Sequence, residues 1–305
     1  MAIQIEIDND RIKLSAWIRK NYPGLSAAHL AKLCRIGEVR VNGGRCGANR
    51  AMVLGDKLKL PPYIEEYKDG RRPATKVDAA DAEAIRSALL FQTPEWLAID
   101  KPAGIATQGG SRQTRHIDAI LPHAFPEWAE GLRLVHRLDM DTSGVLVAAK
   151  TYEAAKELTR AFKEGEAKKT YLALAYGMPD VREGVIDKPV EDEGGRLLRA
   201  VSRWRLVDGA YGLVSLLEFR PETGRTHQLR IHAASMGHPI VGDFKYAREA
   251  QFAKLRAALD FPLPRRLMLH AWKLKLPGAR EVVAPVPEHI LKVMKYLNFS
   301  AGARK

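Results

Sequence analysis

Apolar and polar positions change period several times along the chain, and the changes divide it. RIKLSAWIRKNYPG places Ile12, Trp17 and Ile18 along one side of a short helix that Pro23-Gly24 stops. SAAHLAKLCRIG predicts a second helix, with Ser26 at its N-cap and Gly37 at its end. EVRVNGGRC alternates around Asn42-Gly43, the strongest short-range hairpin signal, and MVLGDKLKLPP predicts a closing strand pair. The next stretch, YIEEYKDGRRPATKVDAADAEAIRSALL, has mixed charge and little apolar periodicity before Ile85. It reads as a linker with one short helix near its end.

From Phe91 onward the pattern is that of a larger domain. PEWLAIDKPAGIAT predicts a strand and a Lys-Pro turn, and RLVHRLDMDTSGVLVAAK predicts two strands around a charged turn. TYEAAKELTRAFKEGEA is helical, with Ala155, Leu158 and Phe162 on one face. KKTYLALAYG returns to strand, and RWRLVDGAYGLVSLLEFRP continues with turns expected at Asp208-Gly209 and Tyr211-Gly212. Strands joined mostly by short turns imply an antiparallel or mixed sheet rather than a doubly wound parallel one. The expected architecture is therefore α+β: a small module over 1–62, a linker over 63–90 and a large domain over 91–300.

Charge changes this picture. The chain carries 49 Lys and Arg against 36 Asp and Glu, a formal net charge of +13. A surplus of this size suggests a polyanionic partner, nucleic acid first, with a merely solvated basic surface as the plain alternative. The surplus is concentrated locally, since between residues 11 and 59 eleven Lys or Arg face only Glu38 and Asp56. Arg19, Lys20, Lys32, Arg35, Arg40 and Arg45 sit on the predicted helices and hairpin. Such a module is suited to phosphates and to salt-dependent binding. A DNA-binding helix-turn-helix fits the same charges. Two cysteines, Cys34 and Cys46, exclude a disulfide framework and point to a reducing compartment. With His29 the one histidine near them, they make no zinc set. MAIQIEIDNDR lacks the features of a signal peptide, and no run reaches the roughly 18 apolar residues of a membrane helix. A cytosolic protein is expected.

Candidate chemistry lies in three clusters. In LVHRLDMDTSGVLVAAK, His136, Arg137 and Asp139 interrupt two apolar runs. Burying charge is costly unless the charge is paired or used. Either Asp139 pairs with Arg137 in a structural turn, or it is a working carboxylate. KKTY offers Tyr171 as a core aromatic or a site residue. TGRTHQLRIH offers Arg225, His227, Gln228 and Arg230 as a solvated face or a site. Several known patterns fail. Leu138 interrupts a kinase-like H-R-D, and neither a phosphate-binding P-loop nor G-x-S-x-G occurs. His227 and His232 are five apart without an intervening Glu, unlike a helical zinc-protease pair.

HRLDMDTSG, KKTY and TGRTHQLRIH, in that order, resemble the RluA family of pseudouridine synthases. The likeness runs to its RluC-type enzymes, which act on large-subunit ribosomal RNA. DKPAGIATQGGS, GHPIVGD and LMLHAWKL extend it. IGEVRVNG and LGDKLKLP, in the preceding module, are similar to the S4 RNA-binding domain. The resemblance implies an isomerase converting uridine to pseudouridine in RNA, on a mixed, mainly antiparallel sheet with flanking helices. It implies no cofactor or metal, RNA as partner rather than DNA or membrane, and a monomer. It makes Asp139 the essential aspartate, Tyr171 the active-site tyrosine and Arg230 the arginine paired with the aspartate. Arg137 would hold the opened RNA stack, Arg225 and His227 would contact RNA, and Leu269 would belong to an apolar floor. Asp100 stands where the family often has Asn, and Gln108 where His is frequent, which bears on the substrate subtype. A synthase acting on transfer RNA or several RNAs is the alternative, and a non-catalytic ribosome-assembly factor on the same scaffold is the rival from another class.

Overall fold

Short elements build the first of two units, Met1–Lys76. In chain order they are β1 (Ile3–Glu6), β2 (Ile12–Lys13), α1 (Leu14–Asn21), α2 (Ala27–Ile36), β3 (Arg40–Val41), β4 (Gly44–Arg45), β5 (Ala51–Met52), β6 (Lys57–Leu60) and a 3-10 turn over Pro62–Tyr67. The structure, a computed structural model, describes residues 2–8, 11–69, 77–109, 115–192 and 194–299. The expected caps are present. Ser26 Oγ accepts the His29 N–H at 3.2 Å, and Gly37 ends α2 in the left-handed region at φ 79°. Asn42 and Gly43 both take positive φ, 52° and 76°, as a tight hairpin turn requires.

MVLGDKLKLPP does not form its own hairpin. β5 pairs with β2, while β6 lies between β1 and β3 in a sheet ordered β1-β6-β3-β4. The cause is the turn between them. Asp56 accepts the Val53 N–H and an Asn42 amide N–H, sending the chain from the small two-stranded ladder to the larger sheet. Leu14, Trp17, Ile18, Leu30, Leu33, Leu58 and Leu60 form the core of this unit.

Ile64, within the stretch expected to be a linker, belongs to that core, and Ile85 at the stretch's other end is buried in the second unit. Residues 70–76 lie outside the described residues.

The second unit is Val77–Lys305. It runs α3 (Ala79–Ser87), β7 (Leu89–Gln92), β8 (Trp96–Lys101), α4 (Ile117–Ala124), a 3-10 turn (Pro126–Trp128), β9 (Arg133–Leu134), β10 (Ser143–Ala149), α5 (Tyr152–Lys163) and β11 (Lys168–Tyr176). It continues with β12 (Glu183–Asp187), β13 (Val190–Glu191), β14 (Leu197–Leu198), β15 (Val201–Ala210), β16 (Val214–Pro221), α6 (Gln228–Ser235), α7 (Glu249–Ala258), β17 (Leu269–Lys275), β18 (Glu281–Val283) and α8 (Glu288–Tyr296). Ten strands make one sheet, ordered β12-β15-β16-β11-β17-β10-β8-β7, with β9 beside β10 and β18 beside β17. Within this sheet, among the described residues, only the β10–β17 pairing is parallel. The sheet is mixed and mainly antiparallel, as expected.

β10 sits in the middle of this sheet and is covered on both faces. Val145, Val147 and Ala149 pack with Ala154 of α5, while Leu146 and Ala148 pack with Ile85 of α3 and Ile117 and Ile120 of α4. A strand buried on both faces reads as a continuous apolar run, which is why VLVAA does not alternate. Each valine, leucine and isoleucine among them contributes about 1.5–3 kcal/mol on burial. On the other half, β11, β15, β16 and β17 share a core with α6, α7 and α8. Asp208-Gly209 is no turn. It lies inside β15, just beyond a register shift between Leu206 and Asp208, and the turn falls only at Tyr211-Gly212. The Met178 side chain packs against the bare backbone of Gly209, its sulfur 2.2 Å from where a Cβ would stand.

Candidate active site

β9 and β10 do not meet in a tight turn. Leu134 lies opposite Ala148, at the far end of β10, so residues 135–142 form a loop. The expected long strand through LVHRL is replaced by a side chain. His136 Nε2 accepts the Val147 N–H at 2.9 Å, and the ring stacks on Phe162 with centroids 4.2 Å apart. Burial, then the charge of Lys169, lowers the His136 pKa to about 3, so the ring is a neutral acceptor.

Two buried residues grip the loop. Thr107 Oγ1 donates to Leu138 O at 2.6 Å and accepts the Leu138 N–H at 3.0 Å. Lys101 Nζ donates to the carbonyls of Pro102, Ile105 and Met140 at 2.7, 2.8 and 3.0 Å. Burial pulls its pKa down to about 8 against the pull of Asp141, Asp139 and Asp100. At the loop's end Gly144, at φ 112°, passes so close to β17 that a Cβ would lie 2.2 Å from Ala271 O. Sequence reasoning did not single out Lys101 or Thr107, although both stand in DKPAGIAT.

The loop presents Asp139 to a cleft of about 630 Å³ that Arg137, Lys169, Tyr171, Arg225 and Leu269 also line. Tyr171 is half-buried on β11. Burial and then the charge of Asp139 push its phenol pKa up, so it is protonated at neutral pH. Arg230 comes from the first turn of α6, with Nη1 3.9 Å from Asp139 Oδ2. This is an ion-pair distance but not a hydrogen bond. The tight partner of Arg230 is Asp243, which sequence reasoning missed. Nε and Nη2 donate to its two oxygens at 2.7 and 2.8 Å. The expected Arg230–Asp139 pair is thus a loose one beside a bidentate fork.

TGRTHQ folds around Gln228. Its Oε1 accepts from Thr223 Oγ1 at 2.7 Å and from the Arg225 N–H at 3.0 Å, while Nε2 donates to Val201 O and Ser202 Oγ. His227, left-handed at φ 55°, has Nδ1 2.8 Å from the Tyr246 hydroxyl. His227 therefore faces Tyr246 and is not among the cleft-lining residues. Arg225 is exposed, with Nε donating to Arg199 O. Arg137 is exposed at the rim and has no ion-pair partner among the described residues. A structural turn in which Asp139 pairs with Arg137 is not what the chain forms.

Residues 95–235 match the family model for RNA pseudouridylate synthase. The chain is 34% identical over 278 residues to ribosomal large subunit pseudouridine synthase C of Rickettsia bellii, covering 85% of this chain and 87% of that one. It is 30% identical over 302 residues to the protein of the same name from Vibrio cholerae, covering 94% of each. This chain belongs to the RluA family of RNA pseudouridine synthases. Among solved structures, human RNA pseudouridylate synthase domain containing 4 superimposes with a TM-score of 0.63 at 25% identity, covering 73% of this chain and 97% of that one. The matched span of the synthase holds the Asp139 loop, Tyr171 and Arg230, whereas Asp243 lies beyond it.

The synthase's remaining candidate residues lie in the first unit. Arg19, Lys20, Arg35 and Arg45 are exposed, and Lys32 and Arg40 are half-buried. Among the described residues none of the six has an ion-pair partner. Arg40 Nε donates to Gly37 O at 3.0 Å and Nη1 to Gly43 O at 3.2 Å, tying the hairpin to the end of α2 with Arg45 opposite on β4. No helix among the described residues is long and apolar enough to cross a membrane.

Proposed function

We propose that this synthase modifies uridines of large-subunit ribosomal RNA in the cytoplasm, as a monomer without a cofactor, with Asp139 as the reacting carboxylate. The first unit acts in this reading as an S4-type RNA-binding module. The substrate follows from the names of the relatives. The observation that carries the site is one loop delivering Asp139 into a cleft shared with Tyr171, with the Arg230 guanidinium 3.9 Å away.

The reaction breaks the C1′–N1 bond, turns the uracil and rejoins it through C5. The target base must first leave its stack, at a cost of a few kcal/mol. Arg137, exposed at the rim, fills the vacated place. The Arg230 guanidinium offers the Asp139 carboxylate a cation 3.9 Å away. The carboxylate then attacks the sugar to give a covalent intermediate, or removes a sugar proton to give a glycal. Tyr171 stacks on the uracil, and its protonated hydroxyl is placed for proton transfer.

Release of the C5 hydrogen from labelled uridine tests both halves. Large-subunit ribosomal RNA releases label and transfer RNA does not, and Asp139→Asn abolishes release. Equal release from transfer RNA removes the substrate assignment. Release by Asp139→Asn at the wild-type rate removes the catalytic one.

A further inference from the structure

A guanidinium has five N–H donors in a fixed fork, and this fold divides those of Arg230 unequally. Nε and Nη2 donate to the two oxygens of Asp243, whereas Nη1 faces Asp139 from 3.9 Å. The Asp243 side chain is 0% exposed and that of Asp139 is 17% exposed. Asp243 is itself held from several directions. Its Oδ1 also accepts the N–H groups of Lys245 and Tyr246 at 3.1 and 3.2 Å. The preceding Gly242, at φ 77°, lies so close to the chain at Arg266 that a Cβ would sit 1.8 Å from its carbonyl oxygen. The Tyr246 ring lies against the guanidinium, 5.2 Å from centroid to Cζ. Arg230 therefore cannot swing toward Asp139 without leaving a buried carboxylate unpaired.

We propose that Asp243 is a positioning residue of this synthase: it holds Arg230 back from Asp139, so that the reacting carboxylate feels a cation without being locked in a bidentate ion pair. A carboxylate in a two-bond fork has one lone pair of each oxygen engaged and its charge partly neutralised, which makes it a poorer nucleophile or base. At 3.9 Å the guanidinium places a cation beside Asp139 without a hydrogen bond to either oxygen, leaving them to meet the sugar. The inference rests on the reading of Asp139 as the reacting group.

Asp243→Asn tests it. Asparagine keeps the shape and an acceptor for the Lys245 and Tyr246 N–H groups but removes the charge. Turnover, read as C5-hydrogen release, falls about tenfold or more, while KM for the RNA stays within about threefold. The fall arises because an uncompensated Arg230 pairs directly with Asp139 and engages its oxygens. Asp243→Glu, which restores the charge, recovers part of kcat. A kcat of Asp243→Asn within about twofold of wild type, or a fall in kcat that Asp243→Glu does not partly recover, overturns the proposal. Should Asp243→Asn not fold, the test passes to Arg230→Gln with and without Asp243→Asn, of which the double variant leaves no unpaired buried charge. Equal kcat in the two supports the proposal, and a further loss of about tenfold sinks it, because a residue acting only through Arg230 has nothing left to position. Asp139→Asn is measured alongside: its activity would remove the parent reading, whereas an inactive Asp139→Asn beside a fully active Asp243→Asn removes only this inference.

Discussion

Arg230 and the basic residues of the first unit carry the same charge in opposite settings. The Arg230 side chain is 10% exposed and held by a buried carboxylate in a two-bond fork. Arg19, Lys20, Arg35 and Arg45 are exposed, with no ion-pair partner among the described residues. A buried, partnered cation keeps one geometry and acts on one neighbour, with little screening. An exposed cation is mobile and screened over about 8–10 Å, and it contributes attraction to any phosphate that comes near. In the proposed function this contrast gives chemistry to one region and affinity to the other.

Four experiments break or sharpen that division. The largest effect is expected from Asp139→Asn, which lowers kcat by about 10³-fold while filter-binding affinity for RNA stays within about twofold. A parallel loss of affinity would mean that the site also holds the substrate. Next is Gly144→Ala, which forces a Cβ into the Ala271 carbonyl at an already positive φ. A loss of about 3 kcal/mol or more in denaturant unfolding is expected, and an unchanged midpoint would show that β10 and β17 approach less closely.

The third concerns pH. His136 titrates near 6.5 in an unfolded chain and near 3 in the fold. Between those values the unfolded chain binds a proton that the folded one refuses, so stability is full above about 6.5 and falls as pH drops toward 3. The slope is at most about 1.4 kcal/mol per pH unit for one group. His136→Gln keeps an acceptor for the Val147 N–H and removes that one-proton share of the slope. His270, lowered to about 4 chiefly by burial, keeps its own share. An unchanged proton uptake in the variant would place the titration elsewhere. The smallest effect is expected from Arg19→Glu with Lys20→Glu. RNA affinity weakens, the log–log salt slope drops by about 0.7–0.9 for each phosphate left without its cation, and kcat at saturating RNA is unaltered. A salt slope identical to wild type would mean that these two side chains touch no phosphate.

Much of the fold was legible in local chemistry. Ser26, Gly37 and Asn42-Gly43 act over three or four residues, so their caps and turn appear as the pattern predicts. Local signals misled where a distant partner intervened. Asp208-Gly209 is turn chemistry by composition, but it lies within a strand, where the Met178 side chain packs against Gly209. LVHRL reads as a strand, yet His136 takes the Val147 N–H with its ring and lets the backbone leave the ladder. Pro62–Tyr67 lacks periodicity because a single residue, Ile64, is its buried anchor.

The sequence by itself determined the alternation of elements, the two-sided burial of β10, the concentration of positive charge before residue 60, and the three strings that hold Asp139, Tyr171 and Arg230. Only the tertiary structure decided which charge meets which: Arg230 with Asp243, thirteen residues onward, and Lys101 with the Met140 carbonyl, thirty-nine residues onward. Periodicity records the face on which a side chain stands. The partner waiting there comes from another element, brought into place by a sheet register that no short stretch of sequence encodes.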